Sequence, residues 1–465
     1  MVASLLMRPV AKRLRCSHFK GYGIKLYSTK TSKPLSILFC GSDEFSIASL
    51  RALHAEHKRD PALIKSIDVL CRPGKPAGRS LKQIREVPIK AVAQELGLPL
   101  HERDTFTGWT LPKSNDESIN LIVAVSFGLF VPSRILKAAE YGGLNVHPSL
   151  LPDYRGPAPL QHMIMRREKV GGVTLQTLDD KSFDHGKILA QEWFPLDPDF
   201  MTYQKLLEQV MPAAAEILVE GLQNRLFVPP LVEDTRWQHK LPQKLTHAAK
   251  ITPKDKKVYW YTKSAALDIP ARQNALGRLW TTVLVDPKTP KRLILEASET
   301  VGRPEVFRRM NKVESVRKYK DRISKEMGRS IHFFVEDPEK FQPILYVEDG
   351  SAVIFLTPQK ALRVKRMTVE GQGTKDAKTV MESIRRADAW ELVRVPRLDK
   401  PDKLRFMAIP KNSDVKEVPA TSQSAGSNVV AKRSEVLKQA ESANGDVGSG
   451  TMANERSGDK DREKL

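Results

Sequence analysis

The sequence predicts an α/β fold, with a parallel sheet covered by helices in the first half and a smaller, β-barrel-like domain after it. Three observations point there. Between residues 34 and 230, apolar β-branched runs alternate with helical patterns, the arrangement that builds parallel strands through right-handed crossovers. Beyond residue 263, "QNALGRLWTTVLV" (273–285) and "ILYVEDGSAVIFL" (344–356) read as strands and turns of a small barrel. The charge also changes character between the two halves. The 465-residue chain carries +21 overall, yet residues 34–230 hold 22 basic and 23 acidic side chains, whereas residues 231–410 hold 37 and 23. A near-neutral half joined to a strongly basic one suggests chemistry in the first and a polyanion partner for the second.

Taken in order, "LSILFC" (35–40) is a buried strand ended by Gly41, and a helical pattern follows in "EFSIASLRALHAE" (44–56). "FCGSDEF" (39–45) has only one of the glycines of a GxGxxG fingerprint, so it reads as a tight turn with Ser42 or Asp43 capping the helix. A second strand, "IDVLC" (67–71), leads into the loop "RPGKPAGRSLKQIREVP" and a helix around 88–96. "INLIVAVSFG" (119–128) is long, apolar and β-branched, which marks a central strand covered on both faces. "VPSRILKAAEY" (131–141) reads as a helix and "GGLNVH" (142–147) as the next strand. "GGVTLQTLDDKSFDHGKILAQEWFPL" (171–196) reads as two strands joined by a polar turn. The catalytic domain is expected over 34–230 and a linker over 231–262. A basic C-terminal domain follows over 263–410, with an insertion near 286–343 whose stretch 303–329 reads as a basic helix.

The two ends lie outside these domains. Residues 1–33 hold eight basic side chains and no acidic one, and a helix there would set Arg8, Lys12 and Arg15 apart from Met7, Val10 and Leu14. That is the composition of a mitochondrial presequence, with cleavage expected near "KLYST" (25–29) and a matrix location. Residues 411–465 carry no aromatic side chain and are expected to be a disordered tail. No apolar run approaches the roughly 18–20 residues that span a bilayer, so no membrane insertion is expected. Cys16, Cys40 and Cys71 form no CxxC or zinc pattern, so neither a disulfide framework nor a metal is expected.

The stretch "GGLNVHPSLLPDYRGPAP" (142–159) carries the candidate chemistry. Side chains two apart on a strand project to the same face, so Asn145 and His147 aim together beyond the strand's end. An amide beside an imidazole supplies donors for a developing oxyanion and a group that moves protons near neutral pH. Pro148 and Pro152 restrict the backbone that follows. A carboxylate brought near His147 would orient its ring, and Asp179, Asp180 and Asp184 all compete for that place on spacing alone.

With "LNVHPSLLPDYRGPAP" and "GVTLQTLDDKSFDHGKIL" in view, the chain resembles the folate-dependent formyltransferases. The family's Asn-x-His-x-Ser-Leu-Leu-Pro run matches at 145–152 and its Asp-x-Gly at 184–186. Similarity extends through "ILFCGSDEFSIASL", "RPGKPAGR…VPIKAVAQELGLPL" and "VAVSFGLFVP", and more faintly to about residue 395. The resemblance implies a Rossmann-like formyltransferase domain and a catalytic trio of Asn145, His147 and Asp184. It also implies 10-formyltetrahydrofolate as formyl donor without a metal. The folate would lie against Phe127, Gly128 and Leu129 and against Ser149, Leu150, Leu151 and Pro152. The flanking matches and the charge of the second half imply methionyl-initiator tRNA as acceptor, with Arg79, Lys82, Arg85 and Arg155 available to its phosphates. A monomer is expected. The chain departs from the family in reading Phe-Asp-His-Gly at 183–186, where Leu-Asp-Thr-Gly is common, and in a less basic loop at "RSLKQIRE".

Two other readings compete. A folate enzyme that formylates a nucleotide or sugar amine, or hydrolyses the folate, would share the trio but has no use for a basic second half. A non-catalytic mitochondrial RNA-binding protein has no need of all three trio residues.

Overall fold

The computed structural model describes residues 30–78, 82–114, 117–236, 242–286, 289–304, 331–336, 341–384, 390–396 and 404–410. The expected presequence as far as residue 29, Arg79, residues 305–330 and the expected tail from 411 lie outside the described residues. The chain divides into two compact units between Lys250 and Ile251.

In the first unit, β1 (Leu35–Gly41) is buried at all seven positions. A strand with no polar face sits mid-sheet between helical layers. Asp43 then caps α1 (Glu44–Arg59), its carboxylate accepting from the Ser46 amide at 3.1 Å and so satisfying one of the free N–H groups of the first turn. There follow β2 (Ile64–Cys71), α2 (Pro88–Glu95), β3 (Leu100–Glu102), β4 (Leu121–Val125), α3 (Ser133–Leu136), β5 (Gly143–His147), α4 (Pro159–Met165), β6 (Val170–Thr177), β7 (Ile188–Pro195) and α5 (Tyr203–Gln223).

These strands form one seven-stranded sheet in the order β7-β6-β5-β4-β1-β2-β3. The five from β5 to β3 are parallel, and β6 and β7 add an antiparallel edge. The fold is therefore mostly parallel α/β with a mixed edge. The chain winds outward from β1 in both directions, through β2 on one side and β4 on the other. Such a reversal opens a crevice beyond the carboxyl ends of the strands. β5 lies beside β4 and delivers Asn145 and His147 to that end of the sheet.

Two expected elements are shorter than their apolar patterns. The run 119–128 is strand only over β4, because Ser126 (φ +48°) and Gly128 (φ +75°) turn the chain off the strand direction. The helix expected over 131–141 forms only as α3. Beyond it Ala138, Ala139 and Gly142 donate to carbonyls three residues back, and Gly142 (φ +62°) leads into β5.

The second unit is an antiparallel β domain. Strands at 279–286, 289–301, 331–336, 341–349, 352–356 and 361–369 pair in one sheet, and it closes where 289–301 pairs with 361–369. Its interior holds Trp260, Tyr346 and Phe355, with the Trp260 and Phe355 rings 5.0 Å apart. Two corrections to the sequence reading apply here. Residues 273–276 finish a helix (Ala265–Leu276) that stops at Gly277 (φ +74°), so the strand begins only at Leu279. Strands 289–301 and 331–336, within the span read as an insertion, belong to the barrel itself.

Candidate active site

β5 and β6 pair so that Asn145 lies opposite Gln176 and His147 opposite Thr174. All four therefore share one stretch of sheet at the carboxyl end of β5. Asp184 joins them from the turn between β6 and β7, with its backbone in the left-handed region at φ +59°. Gly186 makes that turn possible: a Cβ there would lie 1.7 Å from the Thr177 carbonyl oxygen.

The Asp184 carboxylate is the centre of the site. Its Oδ1 meets His147 Nδ1 at 3.3 Å and accepts from Asn145 Nδ2 and Gln176 Nε2, each at 3.4 Å. Its Oδ2 accepts from the Gly156 amide at 2.9 Å. The His147 and Asp184 side chains are 7% and 11% exposed, so their interaction is little screened by water. His147 Nε2 lies 2.9 Å from the Tyr154 carbonyl. A carbonyl only accepts, so Nε2 carries a hydrogen and Nδ1 is left facing the carboxylate. Both ring nitrogens thus have protein partners. The donor best placed for a ligand is Asn145, whose half-buried amide gives one N–H to Asp184 and keeps another.

The structure separates the three aspartates that spacing left open. Asp179 accepts from the Lys181 and Ser182 amides at 2.9 and 2.7 Å and so closes its own turn. Asp180 accepts from the Ser133 hydroxyl at 3.0 Å. Only Asp184 reaches His147 and Asn145.

The loop after His147 is fixed from beneath. The Thr174 hydroxyl donates to the Ser149 carbonyl at 2.7 Å and accepts from the Leu151 amide at 3.1 Å and from Gln191 Nε2 at 2.9 Å. The Ser149 hydroxyl donates to the Asp153 carbonyl at 2.8 Å. Residues 246–248 brace the other side, the Thr246 amide on the Asp153 carboxylate and the Ala248 amide on the Arg155 carbonyl. Tyr154 donates its hydroxyl to Glu168 at 2.6 Å, and burial, then that carboxylate, push its phenol well above the usual range.

The remaining expected site residues divide into three groups. Ser149 and Leu151 are buried, Leu150 packs toward Gly172, and Pro152 is half-buried. The side chains of Ser149 and Leu151 hold the loop rather than face the crevice. Phe127 is buried in an apolar cluster with Phe106 and Trp109, while Gly128 is exposed and Leu129 half-buried. Lys82 and Arg85 stand exposed on a hairpin (Lys75–Ala77 with Gln83–Arg85), whereas Arg155 turns inward and donates Nε to the Asp184 carbonyl at 2.7 Å.

Sequence reasoning missed Gln176, the Tyr154 carbonyl, the Gly156 amide and Phe183. Phe183 is 59% exposed and meets Phe130 edge to face at 5.2 Å. Its place one residue before Asp184 was the available signal. Among the described residues, no group of three or more His, Cys, Asp or Glu side chains could hold a metal ion, and no helix is long and apolar enough to cross a membrane.

Comparison with known proteins finds relatives over the segment that carries these residues. The family model described as formyl transferase matches residues 35–222, which include every residue of the Asp184 cluster. The mitochondrial methionyl-tRNA formyltransferase of Saccharomyces cerevisiae is 33% identical over 270 residues, covering 50% of this chain and 66% of that protein. The mitochondrial methionyl-tRNA formyltransferase of Bos taurus is 33% identical over 229 residues, covering 49% and 53%. The methionyl-tRNA formyltransferase of Rickettsia felis is 30% identical over 246 residues, covering 51% and 73%. The matched stretch thus spans between about half and two thirds of the length of the two mitochondrial relatives.

Proposed function

The chain belongs to the methionyl-tRNA formyltransferase family, and on that premise we propose that it transfers a formyl group from 10-formyltetrahydrofolate to the α-amino group of methionyl-initiator tRNA in the mitochondrial matrix. The observation that carries this reading is the convergence of His147, Asn145 and Gln176 on one Asp184 oxygen at the carboxyl end of β5. Two features suit a flat folate beside it. Gly128 is exposed, with open space where a Cβ would stand, and Phe183 offers an aromatic face. The site draws all these residues from one chain, so the reading needs no second copy.

Bound there, 10-formyltetrahydrofolate supplies the formyl group; the protein supplies orientation and a path for one proton. As the amine nitrogen bonds to the formyl carbon and the bond from that carbon to the folate N10 breaks, Asp184 is the base positioned to take the amine's proton and return it to the departing N10. His147, anchored through Nε2 on the Tyr154 carbonyl, turns its Nδ1 lone pair to Asp184 Oδ1, where it can share the proton that the carboxylate takes up. The second N–H of Asn145 faces the negative charge that develops on the carbonyl oxygen. This differs from the sequence expectation in one respect. Asn145 bears the oxyanion, and His147 works mainly through Asp184.

Charge as well as the relatives supports this acceptor. Residues 231–410 carry 37 basic against 23 acidic side chains, which a small amine or water does not require. The test incubates the full chain with methionyl-initiator tRNA and formyl-labelled 10-formyltetrahydrofolate and measures labelled formylmethionine. Label in methionine supports the proposal. Folate turnover that leaves methionine unlabelled makes the chain a hydrolase or a small-amine formyltransferase, and tRNA binding without turnover makes it a binding protein.

A further inference from the structure

We infer that Gln176 is a positioning residue for Asp184, kept in the site at a cost to stability; this rests on the formyl-transfer reading above. Gln176 lies on β6 opposite Asn145 and is 1% exposed. Its Nε2 donates to Asp184 Oδ1 at 3.4 Å. A carboxylate only accepts, so this bond fixes the amide's orientation and directs its oxygen elsewhere. That oxygen is buried and has no hydrogen-bond partner among the described residues.

An amide buried with its oxygen unpaired is less stable than an apolar side chain of the same shape. Thr174, its buried neighbour on the same face of the strand, is polar too, but its hydroxyl is fully engaged by Ser149, Leu151 and Gln191. Selection for stability alone would make position 176 apolar, so the amide is there for what its NH₂ group does.

Its contacts say what that is. The Gly156 amide fixes Asp184 Oδ2, and a carboxylate held at one oxygen can still swing about that bond. Oδ1 meets Asn145 on β5 and Gln176 on β6 at 3.4 Å each and His147 Nδ1, also on β5, at 3.3 Å, so Gln176 is the donor that reaches it from the β6 side. Without Gln176 the carboxylate swings toward Asn145 and draws in the amide that should face the ligand. A neutral amide also orients the carboxylate without adding a positive charge, which would make it a poorer base.

The test is Gln176→Met in the full chain, a change that keeps length and removes both polar atoms. The expected result is an unchanged or higher unfolding midpoint and a KM for 10-formyltetrahydrofolate within about twofold of the unaltered chain, with kcat lowered at least about tenfold. In an Asp184→Asn background the same change should lower kcat no further, because there is no carboxylate left to position. A fall in the unfolding midpoint would make Gln176 structural and overturn the inference, as would kcat within twofold of the unaltered chain. If the unaltered chain itself transfers no formyl group, the functional reading fails and takes this inference with it. An active unaltered chain beside an equally active Gln176→Met overturns the inference alone.

Discussion

At the scale of single residues, the site is one carboxylate that accepts from two side-chain amides and a backbone amide, with an imidazole nitrogen beside it. Asn145 is the member with an N–H to spare, so Asn145→Ala should lower kcat by roughly 10²-fold while changing KM little, as expected when a donor acts mainly on charge that develops during reaction. Steady-state kinetics with each substrate varied in turn checks this, and a rise in KM at constant kcat would assign Asn145 to ground-state binding instead. Asn145 and His147 were legible in the sequence because strand alternation alone puts them on one face. On spacing Asp184 was not separable from Asp179 and Asp180, and only the family resemblance pointed to it, because the choice depends on how a turn folds around Gly186 and the Thr177 carbonyl. Gln176 was illegible for a related reason. Its place beside Asn145 is a matter of cross-strand register, which no local pattern encodes.

At the scale of elements, the loop of residues 148–158 is held by β6 and by the 246–248 segment, and Thr174 is the hub beneath it. Thr174→Val keeps the side chain's shape but strips the Leu151 amide and the Ser149 carbonyl of their partner. It should cost about 1–3 kcal/mol, readable as a lower denaturant midpoint at unchanged m. Asp43 at the start of α1 makes a second prediction. Burial raises its carboxyl above the ordinary value of 3.8, against the opposing effect of the Ser46 amide. Between those two values the folded chain binds more protons than the unfolded one, so stability falls as pH rises through the window and the penalty remains at neutral pH. Asn also caps helices well. Asp43→Asn should therefore be the more stable protein at pH 7, with the difference vanishing below about pH 3.8 in urea titrations across pH. The sheet strands were legible as apolar runs, but their ends were not. Ser126 leaves β4 through a positive φ that an apolar pattern cannot show, and the helix ending at Leu276 was hidden because Pro270 lies inside it.

At the scale of the whole molecule, a near-neutral α/β segment is joined to a strongly basic β domain, and the proposed function gives the tRNA to the second. If the basic half holds tRNA phosphates, the apparent affinity for methionyl-initiator tRNA should fall steeply with salt while the KM for 10-formyltetrahydrofolate hardly moves. Replacing Lys82 and Arg85 by Gln on the exposed hairpin should reduce the log–log salt slope by about one for each phosphate the hairpin no longer neutralises. An unchanged slope would remove that hairpin from the tRNA interface. The order of strands and helices in the first unit was largely open to the sequence, because each parallel strand must be buried on both faces. The closure of the second unit was less so, since strand 289–301 is buried at only two of its thirteen positions and half-buried or exposed at the rest.

On the proposed function, one carboxylate, Asp184, serves the transfer of a formyl group to the amine of methionyl-tRNA. The most direct measurement is single-turnover formylation of methionyl-initiator tRNA by the unaltered chain and by Asp184→Asn, at saturating enzyme and 10-formyltetrahydrofolate. The expected result is formylmethionine from the unaltered chain and a rate lower by roughly 10²–10⁴-fold in the variant, with the same unfolding midpoint within about a degree or two. Equal rates from the two proteins would contradict it.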